Sequence, residues 1–122
     1  MSGLLPFELG YARTDLRRSL VDAVLAGRKT ATSGLAESTK PEDRPGQRYA
    51  LLGYDDEPVG VVEVTEARVI PVAEVDEAFA HDEGEGFESV EEWRTAHERF
   101  FGRPIGPDTP IEAVRFRLVE SR

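Results

Sequence analysis

The chain has 122 residues, no cysteine and a formal net charge of −9. That length makes one domain large enough to bury a core without staples, and the missing thiols exclude disulfides, cysteine-ligated zinc and thiol catalysis. An acidic total repels polyphosphate, which disfavours strong nonspecific nucleic-acid binding while leaving room for a small nucleoside or a short strand in a locally basic groove. The charge is uneven: acidic side chains crowd positions 74–92, whereas Arg13, Arg17, Arg18, Arg28 and Lys29 lie early. No apolar run reaches the roughly 20 residues of a membrane span. The start, Met1-Ser2-Gly3-Leu4-Leu5, lacks the charged head and long apolar centre of a signal peptide. The expectation is a cytoplasmic protein with no membrane partner.

Residues 1–12 read as an irregular lead-in broken by Pro6 and Gly10. Thr14 is a candidate N-cap, and Leu16, Leu20, Val21, Val24 and Leu25 follow at helical spacing, so a helix is expected over 15–26. Gly27 stands where a left-handed C-terminal cap is wanted. Thr30 to Leu35 reads as a strand leaving that helix. Residues 37–48 read as a loop, with Pro41, Pro45 and Gly46 in it. Tyr49–Leu52 and Val59–Ile70 make a hairpin about the turn Asp55-Asp56-Glu57-Pro58.

A short helix is expected from Val72 to about His81, with Val75, Ala78 and Phe79 on one face and Gly84 and Gly86 beyond it. Ser89 and Glu92 have the spacing of a capping box and open a third helix. Val90, Trp93, Ala96 or His97, and Phe100 form its apolar stripe. Ile111–Val119 is a last strand. Helix, strand, hairpin, two helices, strand leaves few crossover helices between strands. That order points to an α+β fold with a small, mostly antiparallel sheet or barrel.

Two constellations carry chemistry. In Lys29, Thr30, Thr32 and Ser33, a cation and hydroxyls share a helix–strand junction. A lysine beside a hydroxyl serves as base to a nucleophile if desolvation lowers its pKa, or stays charged and neutralises a phosphate. The ordinary reading is that lysine suits a helix C-terminus and threonine suits a strand. In His81-Asp82-Glu83-Gly84-Glu85-Gly86, carboxylates gather on a glycine-kinked loop, where Glu85 is placed to orient a hydroxyl or pair with Lys29. Its ordinary reading is a solvated acidic loop. A metal set of His81, Glu83 and His97 has no dedicated spacing, and the zinc deaminases that His81-x-Glu83 is similar to need cysteines absent here. No metal and no cofactor are expected. Trp93, Phe100 and Phe101 are candidates to stack a base, although helical spacing assigns them to a core.

The run from Leu25 through Gly27-Arg28-Lys29-Thr30-Ala31-Thr32-Ser33 to Leu35, then Glu83-Gly84-Glu85-Gly86, then Ser89, Trp93-Arg94, His97 and Phe100-Phe101, resembles the activating-signal-cointegrator homology (ASCH) domain over about Phe7 to Val119. The resemblance implies one PUA-like domain over 1–122, a small β-barrel with about three helices around it. It also implies RNA or a nucleoside as partner. Members similar to this chain include amidohydrolases that deacylate N4-acetylcytidine, whose lysine, threonine and glutamate correspond to Lys29, Thr32 and Glu85. Others are single-strand ribonucleases, whose lysine and serine correspond to Lys29 and Ser89. One position departs from the family pattern: Phe87, followed by Glu88, stands where aspartate is usual.

The expectation is therefore a cleft between 27–34 and 81–89. Thr32 attacks an amide carbonyl, Lys29 relays the proton and Glu85 holds the pair in geometry. Arg28, Thr30, Ser33, Glu83, Ser89 and Trp93 line the substrate. The alternatives are a ribonuclease using Lys29 and Ser89, or a module that only grips RNA through Lys29 and Arg28.

Overall fold

The computed structural model describes residues 3–38 and 45–121. Strand β1 (Leu5–Phe7) leads into helix α1 (Asp15–Leu25) and strand β2 (Ala31–Leu35). Strands β3 (Arg48–Leu52) and β4 (Pro58–Pro71) form the expected hairpin. Helices α2 (Glu77–Asp82) and α3 (Val90–Phe101) follow, and strand β5 (Pro110–Ser121) ends the fold. Part of the loop expected over 37–48 lies outside the described residues.

Local chemistry explains the helix ends. The Thr14 hydroxyl accepts from the Arg17 amide and opens α1. Gly27, at φ 82°, closes it in the left-handed region. Ser89 accepts from the Glu92 amide at 3.1 Å. Glu92 reaches back to the amide of Glu88, one residue short of a strict capping box. The helix expected over 72–81 divides: residues 72–74 form a 3₁₀ turn, Val75 is extended, and Asp76 caps α2 by accepting from the Phe79 amide. The new cap shifts the buried face to Phe79 and Ala80 and leaves Ala78 exposed.

The five strands lie in the order β1-β3-β4-β5-β2, with β1 parallel to β3 and the other pairs antiparallel. The sheet is mixed and is not closed into the expected barrel: β1 and β2 are its edges, and no ladder joins them among the described residues. Both edges are short, three and five residues. The lead-in expected over 1–12 is corrected too, because Leu5–Phe7 pairs with Tyr49–Leu51. Three residues carry no readable period, and their partner is more than forty positions away.

The long β4–β5 ladder separates two cores. Val62 and Val64, then Ala67 past a register shift, stand with Val114, Phe116 and Leu118 against Leu20, Val21 and Val24 of α1. Ile70, Ile111 and Ala113 face the opposite side and pack with Phe79, Ala80 and Trp93 of α2 and α3. The shift between Val64 and Glu66 is what keeps Ala67 on the α1 side, since alternation alone would turn it away. The edge strand β2 thus borders both layers. Ala31 joins the α2–α3 core, and the hydroxyls beyond it stand at the border.

Candidate active site

At the end of α1 the chain turns so that Lys29 points inward. Its side chain is about 1% exposed. The ammonium donates to the backbone carbonyls of Ala31 at 2.9 Å and Glu83 at 3.1 Å, and lies 3.6 Å from both Glu83 Oε1 and Glu85 Oε2. Every one of these neighbours is an acceptor, so the arrangement suits an ammonium.

The loop 82–86 is held against this junction by its backbone. The Thr30 amide donates to the Asp82 carbonyl at 2.8 Å. Gly84, at φ 72°, passes so close that a Cβ there would lie 2.6 Å from both the Arg28 carbonyl oxygen and Lys29 Cα. The glycine is required for contact between the two walls.

Glu83 is the hub. Its carboxylate, 1% exposed, accepts from Trp93 Nε1 at 2.6 Å and Ser33 Oγ at 2.7 Å through Oε2, and faces His97 Nε2 at 3.3 Å through Oε1. Burial pushes this carboxyl up, but the hydrogen bond from His97 and the charge of Lys29 outweigh it, and its pKa lies below the usual range. Burial likewise pushes His97 down, and the adjoining Glu83 carboxylate reverses the direction, so the imidazole is held above its ordinary value. Glu85 is raised, chiefly by burial, against the pull of Lys29. His97 Nδ1 lies 2.8 Å from the Trp93 carbonyl, and its ring stacks on the Trp93 indole at 4.3 Å between centroids.

Above these groups opens a cavity of about 480 Å³. Lys29, Thr32, Ser33, Glu83, Glu85 and His97 line it, with Glu8 and Arg99 as further charged residues. Tyr11, Leu16 and Phe100 give it an apolar mouth; all three are exposed, and the Tyr11 and Phe100 rings stack at 6.0 Å.

Of the residues expected at a cleft between 27–34 and 81–89, Lys29, Thr32, Ser33, Glu83 and Glu85 line this one cavity. The others lie elsewhere. Arg28 is exposed and outside the lining. Thr30 contributes backbone hydrogen bonds to Asp82 and Phe116. Trp93 is fully buried beneath Glu83, where it positions the carboxylate and offers no face to a substrate. Ser89 caps α3 and opens into a neighbouring depression with Glu85, Glu91 and Glu92.

Sequence reasoning missed His97 as a site residue, having assigned it to an apolar stripe, and missed the wall made by Glu8–Tyr11. The signal for His97 was its spacing: four residues after Trp93, it shares that residue's helix face. Phe100, expected in the core, stands at the mouth. Glu83, Glu85 and His97 each offer a ligand atom within 4.8 Å of one another. The Lys29 ammonium already stands against both of those carboxylates, and His81, weighed earlier as a ligand, is exposed and apart from them.

Comparison with known proteins agrees with this fold. An ASCH domain structure from Lactobacillus crispatus JV V101 superposes with a TM-score of 0.80 at 23% identity, covering 94% of this chain and 79% of that one. A protein from Enterococcus faecalis V583 superposes at 0.82 and 25% identity, covering 99% and 79%. No curated protein sequence matches the chain. No described helix is long and apolar enough to cross a membrane. The family model described as the ASCH domain matches residues 9–120, so the chain belongs to the ASCH domain family, whose members are RNA-associated.

Proposed function

We propose that the protein hydrolyses an acyl amide on a nucleoside, an N4-acylcytidine-type substrate, in the cavity beside Lys29. One observation carries this reading. A buried cation, two carboxylates and the adjacent hydroxyl residues Thr32 and Ser33 line one cavity of about 480 Å³ with an aromatic mouth. The volume lies within the usual small-molecule range of about 300–1,000 Å³. The mouth suits the flat face of a base, and the floor suits acyl transfer.

In this reading Lys29 lends positive charge to the developing oxyanion, Glu85 fixes the ammonium, and a hydroxyl of the Thr32–Ser33 pair takes the acyl group. A small nucleoside also agrees with the formal net charge of −9, because few phosphates need be neutralised. The ribonuclease alternative is weaker, since the depression at Ser89 holds three carboxylates, Glu85, Glu91 and Glu92, against one cation, Arg99, and that balance disfavours a phosphate. A module that only grips RNA through Lys29 and Arg28 leaves Glu83, Glu85 and Ser33 without a task, and Arg28 lies outside the cavity.

The test is incubation with N4-acetylcytidine and, separately, with single-stranded RNA, beside Lys29→Ala. Release of cytidine and acetate that disappears in the variant is expected. Inertness of the folded protein towards the nucleoside would remove the amidohydrolase reading, and RNA cleavage lost on Lys29→Ala would install the alternative.

A further inference from the structure

We propose that Ser33 is the hydroxyl that takes the acyl group and that His97 is its general base. The inference rests on the amidohydrolase reading for its substrate, but its geometry stands apart from it.

Hydrogen-bond arithmetic carries the argument. A carbonyl oxygen has no hydrogen to give, so His97 Nδ1, 2.8 Å from the Trp93 carbonyl, must be the donor. A neutral His97 then has its lone pair on Nε2. That atom lies 3.2 Å from Ser33 Oγ. Ser33 has one hydroxyl hydrogen and two acceptors, Glu83 Oε2 and, when the imidazole is neutral, His97 Nε2. When the imidazole is charged, its Nε2–H faces Glu83 Oε1 and the Ser33 oxygen, and the serine hydrogen is left to Glu83. Loss of that one proton turns the serine's neighbour from donor to acceptor. Thr32 has no such neighbour: its hydroxyl makes no hydrogen bond among the described residues, and along the extended strand it points to the opposite face from Ser33.

The reaction closes with these groups. Ser33 Oγ attacks the acyl carbon as its proton passes to His97 Nε2, and Glu83 Oε1, 3.3 Å away, stabilises the imidazolium formed. The tetrahedral intermediate collapses, the carbon–nitrogen bond breaks, and His97 returns its proton to the leaving amine. Water then attacks the Ser33 ester, giving a proton to His97. Ser33 leaves with that proton, and a carboxylic acid is released. Trp93 is a positioning residue, fixing the tautomer through its carbonyl and the ring plane by stacking.

The charged and titratable groups around the imidazole are Glu83 and Glu85 from the loop, with Lys29, Arg99, Glu8 and Tyr11 lining the same cavity. Their balance holds the imidazole charged above its ordinary range, so acylation is expected to rise with pH to a plateau whose midpoint lies above 6.5.

The test uses the intact protein and p-nitrophenyl acetate, with the acetylated residue located by peptide mass spectrometry across pH 5.5 to 9. Acetylation at Ser33 is expected. It should persist in Thr32→Val, vanish in Ser33→Ala, and slow by about 100-fold or more in His97→Gln, the usual contribution of a general base. An adduct at Thr32, or none on either hydroxyl of the folded wild-type protein, overturns the assignment, as does a pH profile unchanged in His97→Gln. The two proposals fail separately. Ser33 acetylation without release of cytidine from N4-acetylcytidine keeps the nucleophile and removes the nucleoside substrate. Wild-type turnover of N4-acetylcytidine by Ser33→Ala keeps the substrate and removes the nucleophile.

Discussion

The protein buries two cations near opposite ends of α1, and they do different work. Arg17, in the first turn, is 1% exposed. It donates to the backbone carbonyls of Leu9, Gly53 and Gly10 and to Asp56, whose side chain is 45% exposed. These contacts tie the segment after β1 to the β3–β4 turn. Lys29, beyond the last turn, is as deeply buried but faces a cavity and two carboxylates, of which Glu83 serves Ser33, Trp93 and His97 as well. A buried charge satisfied by backbone carbonyls staples chain segments together. One that also stands against titratable groups at the wall of a cavity stores electrostatic energy where a reacting molecule can use it. Burial and carbonyl contact do not separate the two, since Lys29 also donates to the carbonyls of Ala31 and Glu83; the cavity and the pair of carboxylates beside it do.

Substitution can break the comparison. Removing the hub should have the largest effect. Glu83→Gln strips the charge facing Lys29 and His97 and should cost about 3–5 kcal/mol of stability, the usual penalty for breaking a buried pair, together with turnover. Chemical denaturation and an activity assay on the folded fraction measure both; a loss under about 1 kcal/mol would mean that Lys29 is solvated in practice. Arg17→Met leaves buried carbonyls without donors and should cost about 1–3 kcal/mol. Its turnover number should hold while KM rises, because Leu9 and Gly10 line the cavity wall. A collapse of turnover in that variant would erase the distinction between the two cations.

Gly84→Ala places a Cβ against the Lys29 backbone in a left-handed conformation and should cost about 1–3 kcal/mol. Hydrogen exchange at the Thr30 amide, bonded to Asp82 across that contact, should quicken with it. His97 supplies a pH signature. Its folded pKa is raised, so the stability it adds is complete below the unfolded value of about 6.5 and drains away as pH rises through the folded one. Melting of wild type and His97→Gln at pH 6, 7 and 8 should show a gap that narrows with pH; a constant gap would contradict the ion pair with Glu83. Asp56→Asn is the smallest change, at most about 1 kcal/mol for so exposed a partner, because three carbonyls still hold Arg17.

Residue patterns alone were enough to place α1, α3, the β3–β4 hairpin and β5, because each announces itself within a short window: Thr14 and Ser89 as caps, Gly27 as a stop, alternating valines along β4. They also brought Lys29, Thr32, Ser33, Glu83 and Glu85 to one cleft, through the resemblance joining two segments some fifty positions apart. Where they erred, the deciding contact was distant. Arg17 has the helical spacing of Leu20, Val21 and Val24 and is buried with them, which a charge tolerates only because carbonyls from 9, 10 and 53 meet it there. β1 exists only because β3 lies beside it. Phe100 and His97 share a helix, and period alone gives both to the core. Only the packed loop 82–86 decides that His97 turns to a carboxylate and Phe100 to the cavity mouth. Local propensity and periodicity are written into neighbouring residues. Which acceptor a buried charge meets, and which hydroxyl shares a proton with it, depends on chain segments brought together only when the whole domain closes.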